Sequence, residues 1–134
     1  MKVEFNEEQR MILHFCWNVH LGLKKSIAPD RIKKYADWFW LEYLKHYFQQ
    51  EDQWIKQAFP RDDPGIRRIL SNHRKIKKRF EDNVNSVRNL RLLEEELENT
   101  IRYEHRKIAT MMLSSDYLGL GKTHLLEWHD EFWK

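Results

Sequence analysis

Apolar residues recur at steps of three and four along most of this chain, which is the period of one face of an α-helix. The clearest stripe reads Ala36, Trp40, Leu44, Tyr47, Glu51 and Trp54. Glu51 lies in the middle of that stripe, where an apolar residue would be expected. Because burial of an isolated carboxylate is costly, we expect other helices to supply it with hydrogen bonds, a cation or a metal ion.

Capping residues predict where the first two helices begin and end. The first should start at Asn6, with Gln9 completing a capping box, and should run to about Lys25. Its inward stripe is predicted as Gln9, Leu13, Cys16, Val19 or His20, and Leu23. The second helix should run from Pro29, which suits a first turn, to about Ala58.

Similar signals predict the remaining helices. Asp63 and Pro64 suit the cap and first turn of a third helix, and Asn85 or Ser86 suits the cap of a fourth. A short last helix is predicted over about Thr123–Trp133, lying across one side. Four long helices with short connections predict an all-α, up-down-up-down four-helix bundle, and the length of 134 residues indicates one domain, 1–134.

Composition agrees with a helical bundle. The chain has only four Gly and three Pro, too few for the frequent turns of a sheet protein. No apolar run approaches the roughly 18 residues of a membrane span, and Met1–Arg10 is too charged for a signal peptide. The single cysteine, Cys16, excludes an internal disulfide and suits a reducing cytoplasm, where we expect the protein to be located.

The formal net charge of +3 is small for a nucleic-acid-binding protein, which usually concentrates a larger excess on one face. The dense basic run 74–79 is expected to pair with Glu94–Glu96 on the neighbouring helix. The alternative is an anion-binding or nucleic-acid-binding face, whose binding would depend steeply on salt. It would use Arg67, Arg68, Arg74, Lys75, Lys77 and Lys78.

Six polar residues on the predicted inward stripes fall in the same half of the bundle, at a rise of about 1.5 Å per residue. They are Gln9, Tyr47, Glu51, His73, Thr100 and Glu104. Such convergence inside an apolar core predicts a site or the remnant of one.

Together with flanking segments, these positions resemble the hemerythrin-like (HHE cation-binding) domain family. The flanking matches include Phe15-Cys16-Trp17, Pro29-Asp30-Arg31-Ile32, Trp38-Phe39-Trp40, Asn72-His73-Arg74 and Ile101-Arg102-Tyr103-Glu104. The resemblance spans the whole chain and implies four antiparallel helices. In the family, the first and third helices each supply a His, and the second and fourth each supply His-x-x-x-Glu, to hold two irons.

The chain departs from this pattern at three of the expected histidines. Gln9, with Arg10 beside it, Tyr47 and Thr100 stand where the family has His, whereas Glu51, His73 and Glu104 are kept. Di-iron sites need several imidazoles, and Gln and Thr are weak neutral donors. The resemblance therefore implies a degenerate di-iron site.

Two interpretations follow. In the first, the protein is a non-enzymatic structural or interaction domain without a cofactor. Glu51 and Glu104 would then accept hydrogen bonds from Tyr47, Gln9 and Thr100, with His73 protonated between them or Arg10 folded inward.

In the second interpretation, the protein is a metal-binding or sensing module. It would hold one iron or another divalent ion through Glu51, His73, Glu104 and Tyr47, with Tyr47 as a phenolate on ferric iron. Among the other histidines, His105 lies on a second apolar line and is expected to be partly buried, whereas His46 is expected at the surface.

Overall fold

The computed structural model describes residues 4–82, 85–111 and 127–134, and all regular secondary structure in these residues is helical. The helices are α1 (Glu7–Lys24), α2 (Pro29–Phe39), α3 (Lys45–Ala58), α4 (Pro64–Glu81) and α5 (Val87–Met111). A π-helical turn, Trp40–Leu44, joins α2 to α3 into one continuous helix. The four long helices predicted from the sequence are therefore present.

The predicted caps are confirmed. The Asn6 side chain accepts a hydrogen bond from the Gln9 amide (2.8 Å), and the Gln9 side chain accepts one from the Asn6 amide (3.0 Å), which completes the capping box. Asp63 Oδ1 accepts bonds from two first-turn amides of α4 at 2.8 and 3.1 Å. Ser86 Oγ accepts one from the amide of Asn89 at 3.1 Å. Each cap satisfies backbone donors that have no partner within the helix.

Two apolar clusters fill the space between the helices. The larger contains the stacked pairs Phe15–Phe39 and Trp40–Phe80, with ring centroids 4.3 and 5.0 Å apart. The smaller consists of Ile55, Phe59, Ile66, Ile69 and Ile108. Buried polar residues lie between the residues of the two clusters on three helices: Glu51 on α3, His73 on α4, and Glu104 and His105 on α5. A polar layer thus crosses an otherwise apolar core.

The predicted inward stripe of α1 is partly wrong. The buried line runs through Glu8, Ile12, Phe15, Val19 and Gly22, with Gln9, Cys16 and Asn18 beside it. His20 is exposed, and Leu13 and Leu23 are only half-buried. Leu13, His20 and Leu23 each follow an apolar or small residue, and packing of the large Ile12 and Phe15 side chains turns the helix towards that earlier line.

The predicted last helix is also wrong for the residues that can be compared. Residues 112–126 lie outside the described part of the chain, and 127–134 form turns rather than a helix. Trp128, Phe132 and Trp133 all pack their rings against Tyr35. Arg31 holds Asp130 through two contacts of 2.7 and 3.0 Å. These tertiary contacts replace local helical hydrogen bonds, and the segment covers one side of the helices, as predicted.

No helix in the described ranges combines the length and the apolar character needed to cross a lipid bilayer.

Candidate metal centre

Three helices each contribute one ionisable side chain to the buried polar layer. Glu51 comes from α3, His73 from α4 and Glu104 from α5. Their exposed fractions are 3%, 2% and 1%, respectively. Since ionisable groups are almost never this buried without partners, the contacts within the layer decide what it can do.

The three side chains converge on one point. His73 Nε2 lies 3.1 Å from Glu104 Oε1 and 3.5 Å from Glu51 Oε1. One potential ligand atom from each residue lies within 4.8 Å of the others. Among the described residues, Glu51 Oε1, His73 Nε2 and both Glu104 oxygens are buried and have no hydrogen-bond partner of acceptable geometry. These potential ligand atoms therefore lie close together without forming hydrogen bonds to other described residues.

The other ring nitrogen of His73, Nδ1, contacts a carboxylate. His73 Nδ1 lies 2.5 Å from Asp52 Oδ1, the residue that follows Glu51 on α3. The Phe48 ring stacks on the imidazole with centroids 4.2 Å apart. In the tautomer whose Nδ1–H donates to Asp52, the lone pair of Nε2 points towards the two glutamates. A carboxylate that fixes the tautomer and ring orientation in this way is the usual outer partner of a metal-binding histidine.

Burial controls the protonation of Glu51. It raises the pKa of this carboxyl to about 8, and the nearby charges of Asp52 and Glu8 act in the same direction. A hydrogen bond with Tyr47 opposes the rise. In the absence of a cation, Glu51 therefore remains largely protonated at neutral pH.

The donor set fits a divalent cation. Two carboxylates and one imidazole are ligand types that bind iron, manganese and zinc, and their two negative charges balance a dication. Glu51, His73 and Glu104 could thus together hold a metal ion.

Of the other predicted site residues, three are buried and one is exposed. Tyr47 is buried and hydrogen-bonds to Glu51. Gln9 and Thr100 are buried, although the Gln9 side-chain oxygen accepts the Asn6 amide in the capping box. Arg10 is exposed, so it neither lines the polar layer nor folds inward.

Two residues of the site were missed from the sequence. Asp52 orients His73, but it lies one residue beyond Glu51 and off the predicted inward stripe, so its position in the sequence gave no sign of this role. Glu8 is buried and raises the pKa of Glu51 and of Tyr43. The correct inward stripe of α1 contains Glu8, so a different choice of helix face would have found it.

The remaining histidine predictions are confirmed where they can be compared. His105 is buried, with its ring 4.3 Å from that of Phe5, and His46 is exposed. Cys16 is fully buried among core residues, and burial raises the pKa of its thiol well above the usual range. A buried, protonated thiol suits packing rather than nucleophilic chemistry.

The basic run on α4 pairs with α5 only in part. Arg79 forms two contacts with Glu96, at 2.5 and 2.8 Å, as predicted. Glu94 instead faces His20 on α1 at 3.4 Å. The six residues of the alternative anion-binding face are all exposed; they are Arg67, Arg68, Arg74, Lys75, Lys77 and Lys78.

Comparison of the chain with protein-family models, with curated proteins and with solved structures found no match. Membership of the hemerythrin-like family therefore stays a prediction that rests on the residues quoted above.

Proposed function

We propose that this protein is a hemerythrin-like metal-binding module that holds one divalent ion through Glu51, His73 and Glu104. The observation that carries the proposal is the convergence of three buried ligand atoms within 4.8 Å. None of them has a hydrogen-bond partner among the described residues. A cation at their centre would satisfy all three, in a place where leaving buried polar atoms unpaired is costly.

The orientation of His73 favours a metal over a proton. Because Nδ1–H is engaged by Asp52 at 2.5 Å, neutral His73 presents a lone pair, not a hydrogen, to the glutamates. An ionised Glu104 would repel that lone pair at 3.1 Å, and Glu51 Oε1 lies 3.5 Å from the same nitrogen. A dication bound there would turn this repulsion into coordination and would require Glu51 to lose its proton.

Iron is the first candidate for the ion. Oxygen-rich sites with one imidazole suit iron or manganese better than copper, which prefers nitrogen and sulfur donors. Tyr47 is buried and bonded to Glu51, which places a phenol where it could join the coordination of a ferric ion. We expect no catalytic role and assign the bound ion a structural or sensing function.

We also infer that the four long helices alternate in direction, up-down-up-down. Contacts between helices support this order. Along two antiparallel helices, the residue numbers of contacting pairs rise on one helix as they fall on the other. Phe5, just before α1, packs against His105, whereas His20 lies opposite Glu94. The same reversal between α4 and α5 is seen in the pairs Asp63–Lys107 and Arg79–Glu96.

The second candidate is a metal-free structural or interaction domain. It is favoured by burial, which raises the pKa of Glu51 and so keeps the carboxyl neutral, and by the hydrogen bond from Tyr47, which gives that carboxyl a partner. His73 would then carry two protons and donate towards Glu104. The two candidates differ in whether a metal or a proton occupies the centre of the layer.

Elemental analysis separates them. Protein expressed with supplied iron, manganese and zinc, and purified without chelator, should carry one ion per chain. His73→Ala should lower the affinity for Fe²⁺ at least about 100-fold, because it removes the only nitrogen donor of the three. His46→Ala, which removes an exposed histidine of α3, is the matched control and should bind normally.

Absorption then tests the role of Tyr47. A ferric protein with a visible phenolate band that disappears in Tyr47→Phe would place the phenol on the metal. Two irons per chain would contradict the mononuclear proposal, and a colourless, metal-free, fully helical protein would favour the second candidate.

A further inference from the structure

A cleft of about 780 Å³ lies between α1, α2 and the C-terminal segment 127–134. Its volume is within the range of small-molecule sites. None of Glu51, His73 and Glu104 is among its lining residues. The cleft is therefore separate from the candidate metal centre.

The walls of the cleft are largely aromatic. Tyr35 and Trp38 line it from α2, and Trp128 and Trp133 line it from the C-terminal segment. The Trp38 and Trp128 ring centroids are 5.0 Å apart, and those of Tyr35 and Trp133 are 4.9 Å apart. Such mutually packed rings form a rigid surface that favours the flat face of another ring.

A buried acceptor belongs to the same cleft. Asn18, from α1, is 1% exposed and lines the cleft. Its Nδ2 donates to the Tyr35 hydroxyl at 2.9 Å. Its Oδ1 is buried and has no hydrogen-bond partner within the described part of the chain. Buried amide oxygens normally accept a bond, so this one is free to accept from a ligand.

A buried donor also belongs to a residue that lines the cleft. Trp128 Nε1 is buried and likewise has no acceptor among residues 4–82, 85–111 and 127–134. An indole N–H that is out of contact with water usually finds an acceptor. One cleft thus combines aromatic walls, one unused acceptor and one unused donor.

We propose that this cleft binds a planar heteroaromatic small molecule that carries both an N–H donor and an acceptor atom. The flat ring packs among Tyr35, Trp38 and Trp128. The N–H donates to Asn18 Oδ1, and the acceptor receives the Trp128 indole N–H. Such a site rejects rings that lack either group, because the protein atom left behind would be buried without a partner.

The probe for this proposal is benzimidazole, a planar bicycle with one N–H and one ring-nitrogen acceptor. Its controls are 1-methylbenzimidazole, which lacks the donor, and indene, which lacks both. Binding to the full chain is followed by the indole N–H resonances in ¹⁵N NMR spectra. Benzimidazole should bind saturably and move the Trp128 resonance downfield, whereas the two controls should bind about tenfold or more weakly.

Trp128→Phe keeps an aromatic wall but removes the donor, and it should weaken benzimidazole binding about tenfold. Trp17→Phe is the matched control, since Trp17 is an exposed indole on α1, and its affinity should be unchanged. Asn18→Leu should also abolish binding; if that variant does not fold, Trp128→Phe still decides. Equal binding of indene, no saturable binding of benzimidazole, or equal losses in both tryptophan variants would overturn the proposal.

Discussion

Replacing Glu51 by Gln in the metal-free protein tests whether the buried carboxyl is held in its protonated form. The native state keeps this proton far more tightly than the unfolded chain does, because burial raises the pKa from 4.5 to about 8. The resulting stabilisation is complete below pH 4.5 and is lost as the pH rises towards 8. Gln has the same shape, stays neutral at every pH and cannot lose that stabilisation.

The size of the effect follows from the pKa. A rise from 4.5 to about 8 corresponds to about 5 kcal/mol between the protonated and ionised forms. Between pH 5 and pH 9, the metal-free wild type should therefore lose about 4 kcal/mol of unfolding free energy through Glu51. Relaxation of the site or entry of water would lower this figure, so it is an upper limit.

Urea denaturation followed by circular dichroism, on protein stripped with chelator, measures this difference. The variant should match the wild type near pH 5 and should exceed it in stability by a few kcal/mol near pH 9. Glu42→Gln, an exposed glutamate just before α3, controls for the loss of a charge. Parallel pH profiles for the wild type and Glu51→Gln would refute the reasoning, because Glu51 would then titrate alike in both states.

Three further predictions concern residues around the core. Asp52→Asn should weaken metal binding about 10- to 100-fold, measured by titration with Fe²⁺, because it loosens the orientation of His73; unchanged affinity would count against that role. Gly22→Ala should destabilise the fold by about 1–3 kcal/mol in urea melts. The added Cβ would lie 2.5 Å from the Phe132 ring. An unchanged free energy of unfolding would mean that the C-terminal segment moves to make room for it. Cys16 should react with a thiol reagent only after unfolding, since it is fully buried with a raised pKa; fast labelling of native protein at pH 8 would contradict this.

Local chemistry made the helices predictable. A cap is a relation between residues three apart, so Asn6 with Gln9 could be identified without knowledge of the fold. The same is true of Asp63, which bonds to the first turn of α4. The positions of Glu51, His73 and Glu104 in the core also followed from periodicity, because the three- and four-residue steps of apolar residues on α3, α4 and α5 indicate the face on which each lies.

The features that could not be predicted from the sequence depend on contacts between elements that are distant in the chain. On α1, apolar residues stand on two adjacent lines, and only packing against the other helices selects the line that buries Glu8. The bond between Asp52 and His73 joins α3 to α4 and has no sequence period. The helix predicted up to Trp133 does not form within 127–134, where the rings of Phe132 and Trp133 pack against Tyr35 instead.

The π turn Trp40–Leu44 makes the geometry of the site depend on the backbone hydrogen bonding of a single turn. The Lys45 amide bonds to the carbonyl of Trp40, five residues back, so this turn contains one residue more than an α-helical turn. If the same residues formed an ordinary α-helix instead, everything after this turn would be rotated relative to α2 by about 100°, the rotation of one residue. Tyr47 and Glu51 would then turn away from His73 while every ligand remained in the sequence. The ligands therefore meet only while this turn stays wide, so relatives of this chain could lose the site through changes in this stretch that leave Glu51, His73 and Glu104 in place.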